Sequence, residues 1–424
     1  MSINTNPAEG MRDLLPQDVE LRAYVTQTIL DVYRKFGFTQ LETPAVERIN
    51  FLSSGEGGEN EKMLFKILKR GSKLNFTELM EESQLVDLGL RYDLTVPLSR
   101  FYANNRGRLP SIFKSIQIGS VWRAERPQKG RFKQFTQCDI DIIGSPSPLC
   151  EMELILATAQ ALQALGFKNF TVRINDRRVL EALMNYCGFE DSQWGKVLII
   201  FDKLDKIDAS GVQEELEQAG FESAAIEKFM QVLTAVSGRQ LATGELPALL
   251  PGVATEVVER LSTVIDTVRS LSQGNFAIHL DISLVRGMGY YTGQIFEIGV
   301  EGYQSSIAGG GRYDKMIGKI LQGKVEVPAC GFSIGFERVV SILEEQQFEK
   351  PGTVKKIAML YDDEISSFEA LLGEAHTLRA GGNVVSIEVQ KKNTKKQLDD
   401  LAQLGFTGFA FYEEGKPLNV KELK

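Results

Sequence analysis

Between Val121 and Asp141 the chain reads Val-Trp-Arg-Ala-Glu-Arg-Pro-Gln-Lys-Gly-Arg-Phe-Lys-Gln-Phe-Thr-Gln-Cys-Asp-Ile-Asp. Arg123, Arg126 and Arg131 fall in one polar loop between two apolar runs. A guanidinium is planar, stays charged and grips two phosphate oxygens at once, so a loop of this kind can gather several onto one polyphosphate. Phe135, on the return strand, offers a face on which a base could stack. Gln137 and Asp141 lie four residues apart on that strand and therefore share a face. A neutral hydrogen-bonding group beside a carboxylate is a good reader of a small polar ligand. The chemistry suggested is a nucleotide site with a second, small polar ligand beside it.

Other chemistries find little support. The histidines are His279, in an apolar strand where packing explains it, and His376, on a polar helix near the C-terminus. Cys138, Cys150, Cys187 and Cys330 are far apart and form no CxxC pair, so neither a zinc site nor a disulfide framework is expected, and no metal-ligating residue is assigned. The N-terminus is polar and lacks an apolar signal core, and no apolar run reaches the roughly 18 residues of a membrane span. A cytoplasmic protein with no membrane partner is expected. The net charge of −8 argues against a nucleic-acid partner only globally, because phosphate contacts need just a basic strip. One strip carries Arg106, Arg108, Lys114, Arg123, Arg126, Lys129, Arg131 and Lys133 against the single acid Glu125; another is Lys391, Lys392, Lys395 and Lys396. Taken alone, a basic run of this kind is more often a solvated face.

The elements that must position these groups follow from periodicity. The 424 residues, 43% hydrophobic and 25% charged, suit two or three globular domains. Leu21, Val25, Ile29, Val32 and Phe36 predict an amphipathic helix over 18–36, and Phe38–Leu41 a strand closed by Pro44. Residues 61–102 read as an antiparallel sheet. Ile116–Val121 and Cys138–Ile143 read as strands, with Asp139 and Asp141 on one face of the second. A periodic helix covers 150–165. From 176 to 272 helical stretches dominate (178–187, 211–219, 223–236, 253–272), as in a helical insert within a β-rich domain. Strand signals return at Phe276–Leu280, Tyr290–Val300 and Ile307–Ala308. Gly309–Gly311 by itself reads as a hairpin turn, a helix is predicted near 331–347, and Pro351–Gly352 marks a linker. The remainder alternates strand and helix, as in a small α/β domain with a largely parallel sheet. No internal repeat is found.

The Arg-rich loop resembles motif 2 of the class II aminoacyl-tRNA synthetases, in the form typical of the histidyl branch. Further blocks resemble that family in its own order: Leu90-Arg-Tyr-Asp-Leu-Thr-Val-Pro97, Leu284-Val-Arg-Gly-Met-Gly-Tyr-Tyr-Thr292, Ala308-Gly-Gly-Gly-Arg-Tyr-Asp314 and Gly331-Phe-Ser-Ile-Gly-Phe-Glu-Arg338, the last resembling motif 3. Residues 17–47 resemble the dimer-forming motif 1. The resemblance covers nearly the whole chain. It implies an α+β fold: a class II antiparallel β-sheet catalytic domain flanked by helices (1–175 and 276–348), a helical insertion (176–275) and a short C-terminal α/β domain like those that bind anticodons (354–424).

The activity implied is ligation of L-histidine to tRNA(His) through a histidyl-adenylate, with ATP and Mg²⁺, in a homodimer. The roles implied are these. Arg123 holds the α-phosphate of ATP and the substrate carboxylate region, and Glu125 and Arg131 bind the nucleotide and its outer phosphates. Phe135 stacks under adenine, and Arg338 contacts the γ-phosphate side. Asp93, Thr95 and Gln137 hold the α-amino group of histidine. Asp141 and Tyr291 bind the imidazole, with Tyr290 in the wall. Arg286, also counted among the histidine-binding residues, lies beside the α-phosphate and stabilises the charge of adenylate formation. Arg126 and Lys129, with Lys391, Lys392, Lys395 and Lys396 on the last domain, approach the tRNA.

Three features depart from the family pattern. Asp93 and Asp141 stand where many bacterial members carry Glu. Gly289 occupies a place often held by Asp, which leaves Arg286 without one orienting partner. The last domain is curtailed. A related non-catalytic class, the histidyl-synthetase-like regulatory subunit of ATP phosphoribosyltransferase, is the alternative. That class usually lacks the catalytic arginines and the last domain.

Overall fold

A computed structural model of the chain describes residues 3–53, 63–71, 85–124, 132–286, 289–303, 305–321, 323, 325–348 and 354–423. These form two compact units, one of Met1–Asp13 with Val25–Glu345, the other of Leu14–Tyr24 with Gln346–Lys424.

The first unit is built on an eight-stranded sheet. After helix α1 (Pro16–Lys35), its strands are β1 (Thr39–Gln40), then β5 (Phe113–Trp122) and β6 (Gln134–Ile143), which follow a separate small sheet of β2 (Val46–Arg48), β3 (Lys66–Leu68) and β4 (Val86–Leu90). Helix α2 (Thr95–Asn105) precedes β5, and α3 (Leu149–Ala164) follows β6. β7 (Phe170–Asp176) leads into a helical run: α4 (Arg177–Cys187), α5 (Trp194–Phe201), α6 (Leu204–Gln218), α7 (Ser223–Val236) and α8 (Thr255–Ser272). The sheet is completed by β8 (Ala277–Leu280), β9 (Gln294–Val300), β10 (Ala308–Arg312) and β11 (Ala329–Gly335). Helix α9 (Asp314–Ile320) lies between the last two, and α10 (Phe336–Glu345) follows. The strand order is β1-β5-β6-β11-β10-β9-β7-β8, with only β1/β5 and β7/β8 parallel.

Sequence alternation explains the layering. Cys138, Ile140 and Ile142 of β6 are buried on one face, while Gln137, Asp139 and Asp141 take the other. Helix α3 packs on β6 and β11, and α8 packs on α3 and β8. Glu151 of α3, fully buried, receives a bidentate pair from Arg312 at the end of β10 (Nη2–Oε2 2.7 Å, Nε–Oε1 2.8 Å) and a third contact from Arg260 of α8 at 3.2 Å. This cluster fixes the end of the central strand against the helical layer.

In the second unit, β12 (Lys356–Tyr361), α11 (Phe368–Ala380), β13 (Val384–Val389), α12 (Thr394–Gln403) and β14 (Gly408–Tyr412) are joined by β15 (Lys421–Glu422). The sheet runs β13-β12-β14-β15, parallel except for the last strand. Met359 packs with Leu371 and Ala375 of α11, whereas its neighbours Ala358 and Leu360 pack with Leu401 of α12. The period-2 strand thus feeds a helix on each face.

Four local expectations are corrected. Residues 95–105 are helical rather than part of a sheet. Leu94, Val96 and Leu98 alternate as in a strand, but Asp93 Oδ1 accepts from Val96 N at 3.1 Å and starts a helix, with Pro97 tolerated in its first turn. Residues 331–335 are a strand, and the helix begins only at Phe336. Tyr290 and Tyr291 precede β9 instead of opening it. Gly309–Gly311 lie inside β10, hydrogen-bonded on both sides, rather than in a turn. The apolar helix α5 went unforeseen, and the expected linker at Pro351–Gly352 lies outside the described residues.

Candidate active site

The pocket floor is the polar face of the large sheet, and its composition follows from strand register. One cross-strand row runs Gln117, Asp139, Ser333, Gly309, Glu297, Arg173, His279 across β5, β6, β11, β10, β9, β7 and β8. The next row on the same face runs Ser115, Asp141, Gly331, Gly311, Ile295, Asn175. Over these rows lies a cavity of ≈ 800 Å³. The glycines are a condition of its depth. A Cβ on Gly309 would stand 2.0 Å from Arg286 Nη1, and one on Gly331 2.0 Å from Asp141 Oδ1.

The cavity separates two kinds of group. Asp93, Asp139 and Asp141 contribute three carboxylates, all buried. Burial pushes the Asp93 carboxyl up to about 6, against the Val96 N–H and Arg123, and the Asp141 carboxyl up to about 7, against a hydrogen bond from Tyr313. Asp139 is also raised, by burial and then by Asp141, although Ser333 donates to it. Asp93 Oδ2, Asp139 Oδ1, Asp141 Oδ2 and Gln137 Oε1 are buried acceptors with no partner among the described residues. Buried acceptors normally find donors, so a small ligand rich in N–H groups, and cationic, fits them. Gln137 Nε2 meets Ser333 Oγ at 3.5 Å.

The cationic side comprises Arg123, Arg177, Arg286 and Arg338. Arg123 Nε donates to Tyr92 O at 3.0 Å, and its guanidinium lies 5.0 Å from the centre of the Phe135 ring. Arg286 Nη1 reaches Glu297 Oε2 at 3.3 Å. Burial opposes its charge, but Tyr291 and Glu297 hold its pKa above the ordinary value. The Tyr291 hydroxyl accepts from Tyr290 and Arg286, and the rings of Tyr290 and Tyr291 lie 4.7 Å apart. Arg338, at the start of α10, donates to Ser306 O. Its neighbour Glu337 accepts from Thr136 N at 3.0 Å and pairs with Arg12 at 2.9 Å, tying α10 to β6.

Of the residues singled out from sequence, Arg123, Phe135, Gln137, Asp141, Asp93, Thr95, Arg286, Tyr290, Tyr291 and Arg338 all line this one cavity. Glu125, Arg126, Lys129 and Arg131 lie outside the described residues. Lys391, Lys392, Lys395 and Lys396 are exposed and belong to the second unit, around the first turn of α12. Lys114 of the first basic strip is committed to Glu153 at 2.7 Å. Sequence reasoning passed over Asp139, Tyr313, Ser333 and Asp202. The Asp139–Asp141 alternation carried a signal for the first. Tyr313 and Ser333 sit within the quoted blocks, whereas Asp202, from the turn after α5, had none. Among the described residues no group of three or more His, Cys, Asp and Glu side chains is placed to hold a metal ion, and no helix is long and apolar enough to cross a membrane.

Comparison with known proteins agrees with this geometry. Residues 10–339 match the sequence profile of the family described as histidyl-tRNA synthetase. The chain is 45% identical over its full length to the histidine–tRNA ligase of Leifsonia xyli, covering 99% of that protein, and 36% identical to that of Aeropyrum pernix, covering 96% of this chain and 89% of the other. Among solved structures it is similar to the histidyl-tRNA synthetase of Nostoc sp. PCC 7120 (TM-score 0.78, 28% identity, all of this chain and 95% of that one). A protein of Bacillus halodurans C described as an ATP phosphoribosyltransferase regulatory subunit/histidyl-tRNA synthetase shares the fold (TM-score 0.75, 21% identity, 97% of this chain and 99% of that one).

Proposed function

The chain belongs to the histidyl-tRNA synthetase family, and we propose on that premise that its cavity activates L-histidine with ATP and passes it to tRNA(His). The observation that carries the reading is one cavity that brings the buried carboxylates of Asp93, Asp139 and Asp141 together with the guanidinium groups of Arg123, Arg286 and Arg338. The carboxylates suit an ammonium and a ring N–H; the guanidinium groups suit phosphates.

In the first step an oxygen of the histidine carboxylate attacks the α-phosphorus, and the bond to the β-phosphate oxygen breaks, releasing pyrophosphate. The attacking group is already an anion, so the protein supplies position and positive charge rather than a general base. Asp93, Thr95 and Gln137 hold the α-amino group. Asp141 and Tyr291 hold the imidazole, and Tyr290 forms the wall. Arg123 and Arg286 flank the α-phosphate, Arg338 takes the outer phosphates, and Phe135 stacks under adenine. Glu125 and Arg131 complete the nucleotide grip. Mg²⁺ brought by the nucleotide would supply charge neutralisation at the phosphates. In the second step a terminal ribose hydroxyl of the tRNA attacks the activated carbonyl, and AMP leaves.

The same reading divides the chain into a catalytic domain (1–175 and 276–348), an insertion (176–275) that clamps the acceptor stem, and a C-terminal domain (354–424). Lys391, Lys392, Lys395 and Lys396 of that last domain meet the anticodon arm, while Arg126 and Lys129 meet the acceptor end. A cytoplasmic homodimer formed through residues 17–47 completes it. The regulatory-subunit alternative is the less favoured, because Arg123, Arg286 and Arg338 are all present in the cavity.

The test is histidine-dependent ATP–pyrophosphate exchange, with and without tRNA, beside a charging assay. Exchange with charging is the expected result. Histidine binding without exchange would transfer the chain to the regulatory class.

A further inference from the structure

Arg286 lacks the family's frequent Asp at position 289, yet its guanidinium is not left to solvent. Its Nη1 meets Glu297 Oε2 at 3.3 Å, and the other oxygen of Glu297 takes Arg173 Nη2 at 2.8 Å. Glu297 and Arg173 are direct cross-strand partners on β9 and β7. Arg173 in turn meets Asp281 Oδ2 at 3.3 Å, on the turn after β8, and Asp205 Oδ2 at 3.2 Å. Asp205 is in the first turn of α6, so the chain of charges runs from the cavity into the helical insert. A second carboxylate, Asp202 of the turn that follows α5, lines the cavity.

Two features make this arrangement specific. Gly309, the next position along the row, has no side chain, and only that lets the Arg286 guanidinium lie over β10. Arg173 has three carboxylates around one guanidinium, more than its own neutralisation requires. The excess negative charge is therefore available to Arg286 through Glu297.

We propose that Glu297 and Arg173 are positioning residues for Arg286, and that Asp205 makes the helical insert part of the same linkage. The inference rests on the adenylation role given to Arg286 above. Glu297 replaces the missing Asp as the group that orients the guanidinium, and Arg173 holds Glu297 in the required rotamer. Movement of α6 is then felt at the α-phosphate.

The measurement is ATP–pyrophosphate exchange resolved into kcat and KM, on the full-length protein, for Glu297→Gln, Arg173→Met, Arg173→Lys and Asp205→Asn, with Arg286→Ala as reference. Histidine binding is followed by calorimetry and folding by thermal unfolding. Small displacement of a positioned group costs up to about a hundredfold, so Glu297→Gln is expected to lower kcat about ten- to a hundredfold while the histidine KM stays within about twofold. Arg173→Met is expected to do the same to a smaller degree, with Arg173→Lys recovering part of the loss. Asp205→Asn, at an exposed side chain, is expected to lower kcat a few-fold, and it keeps the test open if Arg173→Met unfolds. Loss of exchange in Arg286→Ala alone, with parental kcat in the Glu297 and Asp205 variants, would overturn the linkage and leave the adenylation reading standing. Parental exchange in Arg286→Ala would overturn both.

Discussion

The Tyr313 hydroxyl donates to Asp141 Oδ1 at 2.6 Å, and both side chains are buried. The bond fixes one carboxylate oxygen and leaves the other facing the cavity. Tyr313→Phe removes the donor that steadies the charged form of Asp141. A hydrogen bond to a charged group is worth about 1.5–3 kcal/mol. The histidine KM in the exchange assay should therefore rise about tenfold or more, with the ATP KM little changed. An unaltered histidine KM would show that Tyr313 serves packing only.

The raised carboxyls of Asp93 and Asp141 give the free protein a pH dependence of defined sign. Each has a folded pKa above its unfolded one. Its contribution to stability is complete below the usual carboxylate range and is lost as pH rises through about 6 for Asp93 and about 7 for Asp141. These groups should thus lower the unfolding temperature as pH rises from about 4 to about 7. Histidine, whose ammonium favours the ionised carboxylates, should raise that temperature more at the upper end. Asp93→Asn with Asp141→Asn should flatten the profile; a profile that stays as steep would place its origin elsewhere.

Three glycines of neighbouring rungs should respond differently to alanine. At Gly310 the added carbon would stand 2.1 Å from the Gly331 carbonyl oxygen, a backbone atom. Gly310→Ala should cost about 1–3 kcal/mol or more of stability, read by denaturant unfolding. At Gly309 and Gly331 the obstructing atoms are the Arg286 guanidinium and the Asp141 carboxylate. Gly309→Ala should therefore lower the exchange kcat, and Gly331→Ala should raise the histidine KM, each with a smaller stability loss than Gly310→Ala.

Ion pairs should divide by burial. Arg312→Met leaves Glu151 buried with, among the described residues, only the Arg260 ion pair, and breaking a buried pair costs about 3–5 kcal/mol. Arg239→Met breaks the exposed pair with Glu245 at 2.7 Å and should change stability by less than about 1 kcal/mol. Chemical denaturation of the two variants checks the contrast.

Replacing Lys391, Lys392, Lys395 and Lys396 by Ala should raise the tRNA KM in charging and lessen its salt dependence, since each lost phosphate contact lowers the slope by about one. Pyrophosphate exchange should be unchanged. Equal charging at all salt concentrations would remove these lysines from the tRNA surface.

Much of the fold was legible because its patterns are local. The spacing from Leu21 to Phe36 gave α1, and the alternation from Cys138 to Ile143 gave β6 and the shared face of Asp139 and Asp141. Four regions misled for identifiable reasons. Leu94, Val96 and Leu98 carry a strand period, but the Asp93 side chain nucleates a helix that periodicity does not register. Phe332 and Ile334 belong to a strand whose neighbours are glycines, so the helical run after Phe336 was extended backwards. Gly309–Gly311 has the composition of a turn, and only pairing with β9 and β11 holds it extended. Helix α5 is apolar almost all round and gives a weak helical signal. In the site, the residues that the family resemblance assigns a role were found, while Asp139, Tyr313, Ser333 and Asp202 of the same cavity were not. Glu297 and Arg173 were not, because their partnership exists only through the register of two strands more than a hundred residues apart.

The row of side-chain-free positions in β10 has a consequence for how this pocket can be interrogated. Alanine scanning reads a residue by deleting atoms, and Gly309, Gly310 and Gly311 have none to delete. Truncation would report the rest of the pocket and pass in silence over the β10 part of its floor. The informative experiment there is additive: methyl groups introduced one rung at a time, each probing the contour that the surrounding side chains leave open.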